Sequence, residues 1–268
     1  MRAAILASLI AFSFCFSSCS LIRRAETVDR RQAPPPDPTP APNPDRIPSQ
    51  PGAGARTVYN SCQVPGPYLA LTIDDGPHPS LTPRVLNQLR QRNVKATFFL
   101  IGEQVKMYPG IVRQMLADGH EIGNHTYTHA TLTRLSDAGV TREIDSATAA
   151  VVEATGGYRP HVFRPPGGAF TTRQREWLRR DYGMPTIMWS VDPRDWQIRN
   201  TAHVQQQMIA GARPGGILLC HDIHATTVAA LPTVVDTLLN RGFRFVTVGS
   251  DARLLAAGSQ QILKAMRA

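Results

Sequence analysis

Tyr68-Leu69-Ala70-Leu71-Thr72-Ile73-Asp74-Asp75-Gly76-Pro77 is an apolar run that closes on two carboxylates and a Gly-Pro turn. A short apolar run stopped by turn residues reads as a buried strand, here over residues 68–73. Adjacent side chains of an extended chain point to opposite sides, so Asp74 and Asp75 are expected to meet different partners and do different work. Taken alone, Asp-Gly at a strand end reads equally well as a plain turn. Working outward, six further runs of strand character cover 96–101, 121–124, 162–164, 186–190, 217–220 and 244–248. Between them lie helical patterns at 83–92 (Thr82 as N-cap, Pro83 first in the helix), 104–118, 137–155, 172–181, 202–212 and 228–240. Regular alternation of strand and helix predicts an α/β fold with parallel strands and covering helices.

Seven strands suit either an open doubly wound sheet or an incomplete, distorted barrel. The reactive residues separate the two. Asp74 and Asp75 follow the first strand, His125 the third, Arg164 and Gly167 the fourth, Asp192 and Asp195 the fifth, and His221 the sixth. Strand ends converge on one site from so many directions only when they form a ring, as at the C-terminal mouth of a TIM-like barrel. No Gly-x-Gly-x-x-Gly turn follows the first strand, which argues against a dinucleotide-binding sheet.

His125 and His129 stand four residues apart in Gly123-Asn124-His125-Thr126-Tyr127-Thr128-His129. On one helical turn that spacing places both imidazoles on one face, within reach of a single ion. Adding Asp75 makes a set of two nitrogens and one oxygen that leaves positions open for water, the format of a catalytic metal site. Zinc is the expected divalent ion, with cobalt or nickel binding similarly. In Phe163-Arg164-Pro165-Pro166-Gly167-Gly168 the glycines let backbone N–H groups approach a ligand, a potential oxyanion donor. Arg164 beside a buried strand needs a carboxylate partner. His221, directly after an apolar strand, is placed for a pKa tuned by burial and a neighbouring acid. His78, His120, His161, His203 and His224 read as structural or surface residues.

These segments, in this order, closely resemble the polysaccharide deacetylase family that shares the NodB-type domain, which includes chitin, peptidoglycan and acetylxylan deacetylases. The resemblance runs from residue 57 to about 250. It implies a distorted (β/α)7 barrel acting on N-acetylglucosamine-containing polysaccharide and releasing acetate. It further implies Asp74 as general base, Asp75, His125 and His129 as metal ligands, and His221 as general acid. Arg164 would orient Asp74, Asp195 would tune His221, Gly167 would serve the oxyanion, and Trp196 and Leu219 would wall the acetyl pocket. Two positions depart from the family pattern: Ile73 replaces a Phe, which should only repack the strand, and Gly167 replaces a Tyr whose ring lines the groove. The same site could serve an O-acetyl esterase on xylan. A non-catalytic carbohydrate-binding envelope lipoprotein is the remaining alternative, disfavoured because every catalytic position is filled.

Outside that domain, residues 1–19 carry one basic residue, an apolar run too short for a comfortable transmembrane helix, and Ser17-Ser18-Cys19. They read as an export signal. Phe16-Ser17-Ser18-Cys19 resembles a lipoprotein processing site, with Phe16 where an aliphatic residue is usual. The resemblance implies Cys19 as lipid acceptor and a membrane anchor facing the periplasm or cell exterior. The alternative is an ordinary signal peptide with an incidental cysteine. Residues 20–56 form a tether: nine prolines between Pro34 and Pro51, with almost no large apolar residue, cannot build a core. A C-terminal helical tail is expected over 251–268. The net charge of +9 does not signal nucleic acid, because no dense basic run exists and arginine outnumbers lysine 26 to 3. A monomer is expected. Cys62 and Cys220 could pair in an exported protein, with two separate thiols as the simpler reading.

Overall fold

The computed structural model describes residues 56–61 and 66–249, all inside the compact unit Thr39–Ala268. The export signal, the tether up to residue 55, Cys62 and the tail over 251–268 lie outside the described residues.

The chain runs β1 (Val58–Tyr59), β2 (Tyr68–Asp74), α1 (Leu81–Gln91), β3 (Thr97–Leu100), α2 (Gly102–Met107), α3 (Pro109–Ala117) and β4 (Glu121–Asn124). It continues with α4 (Asp137–Thr155), α5 (Thr172–Tyr182), β5 (Thr186–Ile187), α6 (Thr201–Gly211), β6 (Gly216–His221), α7 (Ala225–Asn240) and β7 (Arg244–Val246). All pairings between these strands are parallel, in the order β4-β3-β2-β6. β6 lies along β2 from Leu69 to Asp74, so β7 and β3 share the other edge, β7 against Tyr68–Ala70 and β3 against Thr72–Asp74. Single bridges complete the circuit: Asn124 to Phe163, Phe163 to Thr186, and Val191 to Leu218. The result is a distorted (β/α)7 barrel, with β7 wedged in at the bottom.

The expected strand at 162–164 is reduced to Phe163 alone, because Pro165 and Pro166 follow at once and have no N–H to offer a ladder. The strand expected at 186–190 ends at Ile187; Met188 N still donates to Tyr59 of β1, and from Ser190 the chain bonds instead to Ile217 of β6. The single helix expected over 104–118 is two, parted at Tyr108, where Pro109 has no N–H to continue the first and starts the second instead. α1 begins two residues earlier than expected, so Thr82 lies inside it and is no N-cap; its hydroxyl is bound instead to Asp222.

Period-two alternation along β2 explains where its acid goes. Leu69, Leu71 and Ile73 pack outward with α1 and α7 residues such as Leu86 and Leu231, whereas Ala70 packs inward with Phe99 and Ile217. Thr72 and Asp74 continue the inward row, which points the first carboxylate into the barrel.

Candidate active site

Asp74 meets Arg164 inside the barrel. The guanidinium is fully buried and donates to Asp74 Oδ1 at 2.7 Å, Thr72 Oγ1 at 2.8 Å, and the carbonyls of Ile187 and Met188 at 3.0 and 2.9 Å. It also stacks 4.2 Å from the Phe99 ring centroid. A buried cation held by four hydrogen bonds is a rigid post, and Asp74 is held by it with Oδ2 turned toward His125 Nε2 at 3.9 Å.

Asp75 does not continue the extended chain, so the opposite side expected for it does not follow: both carboxylates open into the same cleft and both approach His125 Nε2. The Asp75 backbone is left-handed, with φ 73°, and its Oδ1 stands 3.4 Å from His125 Nε2 and 3.3 Å from His129 Nε2. The donor atoms of the three residues all lie within 4.8 Å of one another. His125 Nδ1 is 2.7 Å from the Arg164 carbonyl, so that nitrogen carries the proton and Nε2 presents its lone pair. Asp75 Oδ1 is buried and has no hydrogen-bond partner of good geometry among the described residues. Two donors each about 2.1 Å from one ion stand roughly 3.0–3.4 Å apart for angles between 90° and tetrahedral, so the spacing and the orphaned oxygen both fit a divalent ion.

The two histidines do not share a helical turn as their spacing suggested. Residues 125–129 are a loop, with Thr126 and His129 left-handed at φ 68° and 62°. Local hydrogen bonds hold this shape: Asn124 Oδ1 accepts from Thr126 N, and Glu143 of α4 accepts from Tyr127 N and Thr128 N, all at 2.9 Å. The imidazoles still converge, with ring centroids 5.1 Å apart.

Across the mouth, His221 ends β6 with Nδ1 2.7 Å from Asp195 Oδ1, while Asp195 Oδ2 accepts from His221 N and from the Thr227 hydroxyl. A cleft of about 380 Å³ joins the two halves. Asp74, Asp75, His125, His129 and His221 open into it, and Pro165, Gly167, Trp189, Asp192, Trp196 and Leu219 complete its lining. Arg164 and Asp195 stand behind, fully buried.

A family model for polysaccharide deacetylases matches residues 62–187. A chitooligosaccharide deacetylase of Azorhizobium caulinodans is 39% identical over 207 residues, covering 72% of this chain and 95% of that protein. The chain belongs to the polysaccharide deacetylase family. Another relative, the peptidoglycan-N-acetylglucosamine deacetylase PgdA of Listeria monocytogenes, is 44% identical over 180 residues, but the match spans 67% of this chain and only 38% of that longer protein. The crystal structure of the Bc1960 peptidoglycan N-acetylglucosamine deacetylase superposes with a TM-score of 0.70 at 33% identity, covering 73% of this chain and 92% of that one.

Within this deacetylase-family site the charges are uneven. Burial alone would raise the Asp75 carboxyl, but His125 and the neighbouring imidazoles bring it down to about 2. Burial alone would lower His221, yet the Asp195 hydrogen bond and the nearby carboxylates push it up to about 9. His129 is lowered by burial and by the charge of His125. The site therefore pairs an acid kept ionised with an imidazole kept protonated.

The structure adds residues whose roles sequence reading left blank. Asp222 is fully buried, and burial pushes its carboxyl up to about 7. Trp189, Asp192 and Pro165 line the cleft, and Thr72, Thr227 and Glu143 support its members from behind. Pro165 sits inside the quoted Phe163–Gly168 motif, Trp189 in the strand expected at 186–190, Asp192 just after it, and Asp222 directly after His221. Glu143 is on a helix surface with no local signal. The five remaining histidines stay out of the cleft lining; His120 accepts from Ala96 N and is lowered to about 4 by burial, and His161 pairs with Glu121 at 2.8 Å. Cys220 is a buried free thiol.

Proposed function

We propose that the protein is a metal-dependent hydrolase that removes N-acetyl groups from N-acetylglucosamine-containing polysaccharide, releasing acetate and leaving a free amino sugar. The observation that carries this reading is one cleft holding the Asp75, His125 and His129 donor set, a carboxylate outside that set in Asp74, and a carboxylate-tuned imidazole in His221. When bound by Asp75, His125 and His129, a divalent ion, zinc before cobalt or nickel, supplies Lewis-acid polarisation of the acetamide carbonyl and acidifies water.

The chain's own residues do the proton work. Asp74, held by Arg164, takes a proton from the attacking water as its oxygen bonds to the carbonyl carbon. Gly167, in the lining of the same cleft, offers its N–H to the developing oxyanion. His221, positioned by Asp195, gives its proton to the sugar nitrogen as the C–N bond breaks. Trp196 and Leu219 wall the acetyl methyl. Peptidoglycan and chitin oligomers are the substrates named for its relatives, and they define the substrate class proposed here.

An exported protein would reach such a polymer, and the leader over 1–19 with its lipid acceptor Cys19 would tether the domain to a membrane through residues 20–56. Among the described residues no helix is long and apolar enough to cross a membrane. Mass spectrometry of N-acetylglucosamine oligomers and peptidoglycan fragments after incubation with zinc-loaded protein tests the activity, with acetylated xylan alongside. Loss of acetyl groups from the amino sugars is expected. Acetate from xylan alone would replace this reading with an O-acetyl esterase, and no release from any substrate would overturn it.

A further inference from the structure

Asp222 follows His221 directly but takes no part in the cleft lining and is 0% exposed. Its Oδ2 accepts from the Thr82 hydroxyl at 2.5 Å, and Thr82 Oγ1 in turn accepts from His78 N at 2.7 Å. Its Oδ1 has no hydrogen-bond partner among the described residues. A Cβ added to Gly76 would stand 2.8 and 2.9 Å from the two carboxyl oxygens, so this glycine exists to let the backbone pass over Asp222. The residues so clamped, Gly76 and His78, belong to the turn that immediately follows Asp75. Two backbone bonds hold the remaining side of that turn, Asp75 N to Phe99 O and Ile101 N to Gly76 O, both at 3.2 Å.

A buried carboxyl with one oxygen unpaired is a poor way to stabilise a fold, since desolvation costs more than one hydrogen bond returns. Its placement under the turn that aims Asp75 supplies a different reason. We infer that Asp222 and Thr82 are positioning residues for the metal site: they set the 75–78 turn so that the left-handed Asp75 brings Oδ1 level with both imidazoles. This rests on the reading of Asp75, His125 and His129 as metal ligands. It makes Asp222 part of the support for the ligand set, not of the proton chemistry of its neighbour His221.

Competition with a chromophoric chelator gives the zinc affinity of the wild-type chain and of its variants without turnover, and thermal melts of the metal-free proteins check folding. Asp222→Ala and Thr82→Val are each expected to weaken zinc binding about 10- to 100-fold, the usual effect of removing support from behind a ligand. Asp222→Asn keeps an oxygen for the Thr82 hydroxyl and should bind within a few-fold of wild type. The decisive comparison is in an Asp75→Ala background, where Asp222→Ala should cause no further loss because the ligand it positions is gone. A folded Asp222→Ala or Thr82→Val protein with unchanged affinity, or an equal loss with and without Asp75, overturns the inference while leaving the metal site intact. Failure of the wild-type chain to bind zinc overturns the metal site and the inference together. Should Asp222→Ala not fold, Thr82→Val carries the same comparison.

Discussion

Asp74 and Asp75 are chemically identical neighbours separated by what each side chain touches. Arg164 anchors Asp74 at 2.7 Å, and two imidazoles face Asp75. Asp75→Ala is therefore expected to bind zinc measurably more weakly, through the two imidazoles alone, and to lose activity with it. Asp74→Asn should keep zinc while turnover falls about 10²- to 10⁴-fold, the ordinary contribution of a positioned base. Metal analysis beside kinetics reads both, and a reversed pattern would exchange the two roles. His221 supplies a pH test at the same scale. Its pKa in the metal-free fold is about 9, above the ordinary 6.5, so the stabilisation from the protonated pair with Asp195 is complete below pH 6.5 and is lost as pH rises through about 9. NMR titration of the metal-free protein should find His221 near that value. In Asp195→Asn burial acts with far less opposition, and the pKa should fall by several units; an unmoved pKa would dissociate the pair.

At the scale of elements, short strands and loops set the geometry more than helices do. The loop over 125–129 carries two ligands on left-handed backbone, and α4 holds it through one carboxylate, Glu143, which accepts from two backbone N–H groups and the Thr128 hydroxyl. α4 itself is well terminated, by Ser136 at its start and left-handed Gly156 at its end, so it gives the loop a fixed reference. Glu143→Ala should leave the helix folded and weaken zinc about tenfold or more by freeing His129, less than His129→Ala itself. Chelator competition measures this, and equal affinity in the variant would show that the loop needs no such support.

In the whole molecule, every buried apolar residue among those described lies between Leu69 and Val248. The nine prolines between Pro34 and Pro51 have no large apolar surface to add to that core. Removing residues 1–55 should therefore give a soluble protein with an unchanged melting temperature and full zinc binding and turnover. A truncated chain that fails to fold would move the domain boundary upstream. The ring of strands does for the site what a flat sheet does not: it turns the ends of β2, β4 and β6, with the Arg164 and Asp195 loops, toward one mouth.

Local pattern was enough to reveal the alternation of strands and helices and to put Asp75, His125 and His129 forward as one donor set. Those features depend on period, on turn chemistry, and on the few side chains that bind metals. Tertiary structure alone decided the rest. Phe163 enters the ring as a single residue because its neighbours bar a ladder, and His125 and His129 meet through a left-handed loop where their spacing suggested a helix. Glu143, Thr227 and Asp222 matter because folding sets them against backbone or side chains 15, 32 and 140 positions away. Such partnerships leave no local trace, because a buried carboxylate is chosen by the donors that surround it in space.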